Sequence, residues 1–292
     1  MNYIVKRIRE HLNFSQKELA ERLGTSFATI NRCENGRNKL SKLAQDNLIK
    51  LCKENDVLVF DFILDKIENE AKIIQYALPE DRMILYHGSK SGLVGDIEPS
   101  SRSECDFGRG FYMGTIPRQP LTLICSYSKS KFYIVSIPKE FKNSIVFNDD
   151  MEWAMFIAFN RAKMEAAKGS AFYKKYESLS NDCDVAVGSI ANDRMFKVLD
   201  DFFEGTITDV ALTSCLSALE LGKQYVCLSK KSCEQVKIEK EIELSYLERQ
   251  VIQEISAQYR QKGISLADEI CKKHRREGLY FDEIINEAVS NG

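Results

Sequence analysis

A chain of 292 residues with 44% apolar content can hold one large domain and a smaller one. A mean hydropathy of −0.30 and 29% charged residues describe an ordinary water-soluble protein. No apolar run approaches the ~20 residues that span a bilayer, so no membrane partner is expected. The net charge of −2 conceals an asymmetry: residues 1–55 hold eleven Lys and Arg against six Asp and Glu, the remainder thirty against thirty-seven. A basic head on an acidic body points to a polyanion as the head's partner.

Nine Cys are scattered without C-x-x-C spacing, and His11, His87 and His274 lie far apart. This argues for reduced thiols and against a disulfide framework or a His-rich site, so no metal is expected. The opening MNYIVKRIREHLNF has no uninterrupted apolar core and does not read as a signal peptide. A cytoplasmic protein is expected.

The head, residues 1–57, is read as short helices. Ile4, Ile8 and Leu12 recur at four-residue spacing, which marks one helix face. Ser15 caps the next segment, and Glu18 three residues on completes a capping box. Gln16–Leu23 is a helix ended by Gly24 in the left-handed position. Thr25 or Ser26 caps a third helix, Phe27–Glu34, closed by Asn35-Gly36; more apolar periodicity runs from Leu40 to Cys52. Two short helices joined by a Gly-containing turn read as a helix-turn-helix. The stretch SQKELAERLGTSFATINRCENG resembles the phage-repressor and Cro type of that motif. The competing reading is a small helical bundle that binds protein.

By that resemblance the third helix enters the major groove of DNA. Ser26, Phe27, Thr29 and Asn31 face bases, and Gln16 holds phosphate. Arg32, Arg37 and Lys39 contact phosphates, positioning without specifying. Such domains pair on half-sites, which implies a homodimer.

Residues 58–80 are amphipathic and helical, read either as a connector that could also dimerise or as the last part of the head's core. Pro79 marks the boundary to a body at 81–242. Strands are predicted at Met83–Tyr86, Gly110–Met113, Phe132–Ile137, Asp184–Val187, Val210–Thr213, Tyr225–Leu228 and Val236–Glu239. Helices are predicted at Leu121–Tyr127, Glu152–Lys168 and Met195–Glu204. The interleaving is irregular and no Gly-rich fingerprint follows a strand, so the class is α+β and not a Rossmann domain. Residues 243–292 are charged and helical, with Gly263 expected to break the first helix before two smaller ones. The run Lys272-Lys273-His274-Arg275-Arg276 reads as a solvated face, with a contact to nucleic acid as the alternative.

Within the body, Met83–Tyr86 leads to His87 at a strand end, and Gly108 and Gly110 flank Arg109 ahead of Phe111 and Tyr112. If the two strands pair, an imidazole, a phenol and bare peptide groups form a cradle for a flat polar ligand with a ribose. Two ordinary strands with an incidental His fit as well. Tyr86-His87-Gly88-Ser89, Gly108-Arg109-Gly110-Phe111-Tyr112 and Gln224-Tyr225-Val226 resemble the three motifs of the ADP-ribosyltransferase superfamily, in its His–Tyr–acid branch. Residues 83–240 resemble more closely a bacterial family catalogued as a domain of unknown function and placed in that superfamily. The further matching stretches are Glu152–Arg161, Asp184–Arg194 and Lys223–Ser229.

The resemblance implies a split antiparallel β-sheet around a nicotinamide cleft, and NAD as substrate. His87 would bond ribose hydroxyls, and Gly88 would pair through its backbone with the carboxamide. Ser89 would assist at the ribose, Tyr112 would stack on nicotinamide, and Gly110 and Phe111 belong to the same binding turn. Arg109 would reach the diphosphate, or be an exposed turn residue. The implied activity is mono-ADP-ribosyl transfer to an unknown macromolecular acceptor, by a DNA-tethered bacterial toxin or defence protein. The alternative is a transcription regulator whose inactive body senses NAD or another nucleotide. One departure stands out: the third motif usually offers Glu where this chain has Gln224, which accepts hydrogen bonds but carries no charge and cannot act as a base. Asn160, Arg161, Asp184 and Asn192-Asp193-Arg194 either reach the cleft or anchor the fold.

Overall fold

The computed structural model describes residues 2–190, 193–218 and 222–290, without the side chains of residues 193, 194 and 196. The head begins with α1 (Asn2–His11), which ends where Asn13 turns left-handed at φ 55. Ser15 and Glu18 form the expected capping box at α2 (Gln16–Leu23), and Gly24 closes it at φ 64. Ser26, not Thr25, caps α3 (Phe27–Glu34). Ser41 caps α4 (Lys42–Glu54), and α5 (Val59–Ala77) follows. Phe60, Ile63 and Ile67 of α5 share a core with Ile4, Ile8, Leu19, Leu23, Ile30 and Leu48. Helix α5 therefore completes the head's core.

The body is built on one seven-stranded sheet. Its strands are β1 (Arg82–Ser89), β2 (Phe111–Gly114), β3 (Lys131–Pro138), β4 (Ser144–Val146), β5 (Val185–Ser189), β6 (Lys223–Cys227) and β7 (Lys237–Glu243), in the order β4-β5-β6-β2-β1-β3-β7. The sheet is mixed, because β4 runs parallel to β5; the expected purely antiparallel pair of sheets is corrected to that extent. The other pairings are antiparallel. β1 pairs with β3 along its whole length, from Arg82↔Pro138 to Ser89↔Lys131. Its pairing with β2 is the single register pair Tyr86↔Gly114. The two halves of the sheet thus join through one register pair.

Alternation along the strands gives the sheet two different faces. Leu85, Phe111, Met113, Tyr133, Val135, Val187 and Cys227 lie together on one. On the other, Tyr86, Phe132 and Ile134 of the β1–β3 half join the head's core, with Leu121 and Ile124 of α6 (Arg118–Ile124). Ala186 and Val226 of the β5–β6 half pack with α7 (Met151–Asn160), α9 (Asp193–Phe203) and α10 (Asp209–Ala218). The remaining helices are α8 (Ala171–Asp182), α11 (Lys230–Cys233), α12 (Tyr246–Lys273) and α13 (Phe281–Ser290).

Three expectations fail for reasons outside local sequence. Val210–Thr213 lies within α10: Ala211, Leu212, Cys215 and Leu216 are buried at helical spacing, and a short apolar run fits either period. The helix expected over Glu152–Lys168 stops at Asn160, and Ala162 turns left-handed at φ 55. A short 3-10 turn, Glu165–Ala167, then leads to α8, capped by Ser170. Gly263 does not break the tail. It is buried within α12, which carries Leu247, Val251, Ile252 and Ala267 into the cores. Packing on both sides of the glycine outweighs its cost of about 1 kcal/mol in a helix interior. The residues beyond Gly263 continue α12, so one small helix follows instead of two.

Helix α12 also fastens head to body. Leu247 N–H donates to Gln45 Oε1 (3.0 Å), and Tyr246 donates to Asp46 (2.9 Å). Lys66 pairs with Glu248 at 3.2 Å, Lys53 with Glu254 at 2.6 Å, and Lys240 of β7 with Glu70 of α5 at 2.5 Å. No described helix is long and apolar enough to cross a membrane.

Candidate functional site

The seam between β1 and β2 brings the first two candidate stretches together. His87 Nδ1 lies 2.7 Å from the Tyr112 carbonyl. A carbonyl only accepts, so Nδ1 carries the proton. Burial holds the His87 pKa below the usual imidazole range, outweighing the bond to Tyr112, so the ring is neutral. Its Nε2 is then a lone-pair acceptor with no hydrogen-bond partner among the described residues. The ring stacks on Phe111, centroids 4.2 Å apart, near Tyr133 at 6.1 Å.

The Tyr112 side chain lies on the opposite face of the sheet. Its register partner is Val226, and Gly114 opposite Gln224 extends the same row. The phenol donates to Gly108 O (2.7 Å) and accepts from Phe107 N–H (3.0 Å). Its hydroxyl is therefore committed to the turn, and only the ring can address a ligand. Burial and Asp106 push the phenol above its ordinary pKa, so it stays protonated. Gln224 is buried beside it and donates through Nε2 to Ser189 O (3.1 Å), the carbonyl that also accepts from Trp153. Side chains expected to share one cradle thus straddle the seam: His87 on one face, Tyr112 and Gln224 on the other. A ligand touching all three must lie across the seam between β1 and β2, which an elongated molecule can do.

The glycines are occupied by the fold itself. A Cβ at Gly88 would meet Ile124 and the Pro120 carbonyl of α6 at 2.8 Å. The close approach that glycine permits there is by α6. At Gly110 a Cβ would come within 2.4 Å of Val226, and Gly108 adopts φ +77 against Asn160. Ser89 Oγ donates to Gly92 O (2.8 Å), Phe111 is buried against His87, and Arg109 is exposed on the turn.

One residue outside the expected set, Asp106, completes the Tyr112 face together with Arg161. Asp106, at the start of the Gly-rich turn, accepts from Arg161 Nη2 (2.5 Å) and Nε (3.1 Å). Asp200 of α9 approaches the same guanidinium at 3.6 Å. Burial raises the Asp106 carboxyl pKa above its ordinary value, outweighing the opposing pull of Arg161 and the hydrogen-bonded Gln224 amide. Arg161 thus anchors α7 to the turn and also borders the site. Asp184 serves the fold, accepting from Ser229 Oγ (2.6 Å) and Asn143 (3.2 Å). Asn192 and the side chains of Asp193 and Arg194 lie outside the described residues.

In the head, α3 presents Ser26, Phe27 and Arg32 to solvent, Phe27 being 54% exposed. Thr29 is half-buried, with its hydroxyl 2.9 Å from Ser26 Oγ. Asn31 donates to Gln16 Oε1 (3.1 Å), Gln16 donates to Glu34 (2.8 Å), and Arg9 grips Glu34 at 2.6 and 3.0 Å. This chain of bonds fixes α3 against α2 and orients the Gln16 and Asn31 amides. Arg37 and Lys39 are exposed beyond the helix.

No curated protein and no solved structure matches the chain. Residues 5–57 match the family described as Helix-turn-helix, which is the span of α1 to α4 and the turn that follows. Residues 83–238, from β1 into β7 and including both faces of the seam, match a second family. The chain belongs to that family, described as Protein of unknown function (DUF3990), and carries a helix-turn-helix at its N-terminus.

Proposed function

We propose that the chain is an NAD-dependent mono-ADP-ribosyltransferase held on DNA by its helix-turn-helix head. The reading rests on one observation: β1 and β2 pair only at Tyr86↔Gly114, and beside that pair His87 spans the seam to the Tyr112 carbonyl. The three motif stretches resembling the superfamily converge there, and the residues fit the substrate. A neutral His87 with Nδ1 protonated offers Nε2 to a ribose hydroxyl, which donates to it. The Tyr112 ring offers a stacking surface beside the seam. Gln224, fastened through its amide nitrogen, keeps its carbonyl oxygen as an acceptor for a second hydroxyl. Together these groups hold and orient the nicotinamide ribose while its glycosidic bond breaks.

The head docks α3 in the major groove as a dimer on paired half-sites, with Thr29 and Asn31 among the base-facing side chains. The links from Gln45, Asp46, Lys53, Lys66 and Glu70 to β7 and α12 keep the body at a set position relative to that DNA. A chain so built suits a bacterial toxin or defence protein acting on, or controlling, its own locus.

Gln224 favours a second reading, a regulator whose body binds NAD without turning it over, because a neutral amide stands where a carboxylate is expected. Incubating the protein with NAD labelled in its adenylate half, plus cell extract, separates the two. Label on a macromolecule supports the transferase. Release of free ADP-ribose alone indicates hydrolysis, and tight binding without turnover indicates the sensor.

A further inference from the structure

The carboxylate missing from position 224 has a counterpart on the neighbouring turn. Asp106 reaches the Tyr112 face of the sheet, five residues before the start of β2, next to the turn carbonyl and N–H that hold the Tyr112 phenol. Both hydrogen bonds from Arg161 fall on the same oxygen, Oδ1. The second oxygen, Oδ2, is left outside the guanidinium clamp. Arg161 is itself immobilised: its side chain is 6% exposed, and Asp200 stands on its far side. The Asp106 side chain is more open, at 16%. The result is one carboxylate held at Oδ1 by Arg161 and neighboured by the neutral amide of Gln224.

We propose that Asp106 supplies the negative charge that Gln224 lacks, presenting Oδ2 to the nicotinamide ribose while Arg161 positions it. This deepens the transferase reading and rests on it. In the reaction, the bond between the anomeric carbon and the nicotinamide nitrogen breaks, and its electron pair leaves with nicotinamide. A new bond forms between that carbon and the acceptor. A fixed carboxylate close to the carbon offsets the positive charge that develops on the ribose. With Oδ1 engaged by both Arg161 nitrogens, Asp106 is assigned to charge stabilisation and not to proton abstraction. The acceptor must then arrive already ionised. A protein carboxylate meets that need: NAD+ and the carboxylate give the ADP-ribosyl ester and nicotinamide, and no proton has to be removed.

The test measures nicotinamide release and thermal melting on the full chain for wild type, Asp106→Asn, and Asp106→Asn combined with Gln224→Glu. Asp106→Asn is expected to lower kcat on the order of 100-fold with KM changed only a few-fold. Gln224→Glu in that background is expected to restore much of the loss by returning a carboxylate to the same face. A purely structural Asp106 would not be rescued from position 224. An active Asp106→Asn, or a folded double variant with no recovery, overturns the Asp106 assignment and leaves the transferase reading intact. A wild type that releases no nicotinamide overturns that reading, and the assignment falls with it. Hydroxylamine-sensitive label on the acceptor supports a carboxylate ester; hydroxylamine-resistant label overturns the acceptor class.

Discussion

His87 and Tyr112 meet through an imidazole and a main-chain carbonyl, Nδ1 to O at 2.7 Å, while their side chains lie on opposite faces of the sheet. The bond stands just beyond the single pair that joins the two halves of the sheet. It fixes the tautomer, and burial keeps the ring neutral.

A depressed imidazole pKa makes stability depend on pH. The unfolded chain takes up a proton near the ordinary value of about 6.5, whereas the folded chain resists until a lower pH. The contribution is therefore complete above that value and is lost as pH falls through the folded pKa. Urea midpoints between about pH 5 and 7.5 should fall on the acid side for wild type, and His87→Gln should flatten this limb. Parallel curves for the two proteins would contradict a neutral buried His87.

The Tyr112 hydroxyl and ring have separate tasks. Tyr112→Phe leaves Phe107 N–H and Gly108 O without their partner and should cost about 1–3 kcal/mol in stability. Turnover should persist, since the ring remains. Tyr112→Ala should abolish turnover. Denaturant melts alongside nicotinamide release check both; a Phe variant that is stable but inactive would assign chemistry to the hydroxyl.

In the head, affinity for duplex DNA should fall steeply with salt as phosphate contacts release counterions. Thr29→Ala with Asn31→Ala should relax sequence preference more than it weakens non-specific binding. Arg32→Ala or Arg37→Ala should reduce the salt slope by about 1 each. Footprinting on the gene's upstream DNA and salt titrations measure these. Salt-insensitive binding would exclude a phosphate-reading head.

Glu248 joins head and body while capping α12. It is 1% exposed, receives Ser245 N–H and Oγ–H, and pairs with Lys66. Burial opposes its charge, but Lys66 and Ser245 outweigh it and hold its pKa below the usual carboxylate range. Its contribution is present above the ordinary carboxyl pKa and lost as pH falls through the folded value. Glu248→Ala should cost about 3 kcal/mol, the low end for breaking a buried pair, because Lys66 keeps partial access to water. Thermal melts at neutral pH test this, and a change below about 1 kcal/mol would reduce the pair to a surface contact.

The head was legible in the sequence because its signals are local. Ser15 with Glu18, Gly24 and Ser26 act within one helical turn, and α2 and α3 have the bounds those residues imply. The body was legible strand by strand but not in its assembly. Nothing near His87 tells that its side chain faces away from Tyr112, because register between β1, β2 and β3 is set by chain far away. Helix α7 stops at Asn160, beside an arginine whose partner Asp106 is 55 residues distant. Asp106 opens the Gly-rich turn, but its role depends on that distant partner and carries no local signal. Gly263 reads as a breaker from local sequence, and the packing around α12 overrides that signal.

The central claim, that the seam at His87 handles NAD, is tested most directly by nicotinamide release from NAD by the full chain and by His87→Ala in parallel. Catalytic release by wild type, lost in a His87→Ala protein with an unchanged helical fold, is the result predicted. Release that continues undiminished in His87→Ala, or a wild type that neither binds NAD nor liberates nicotinamide, would contradict it.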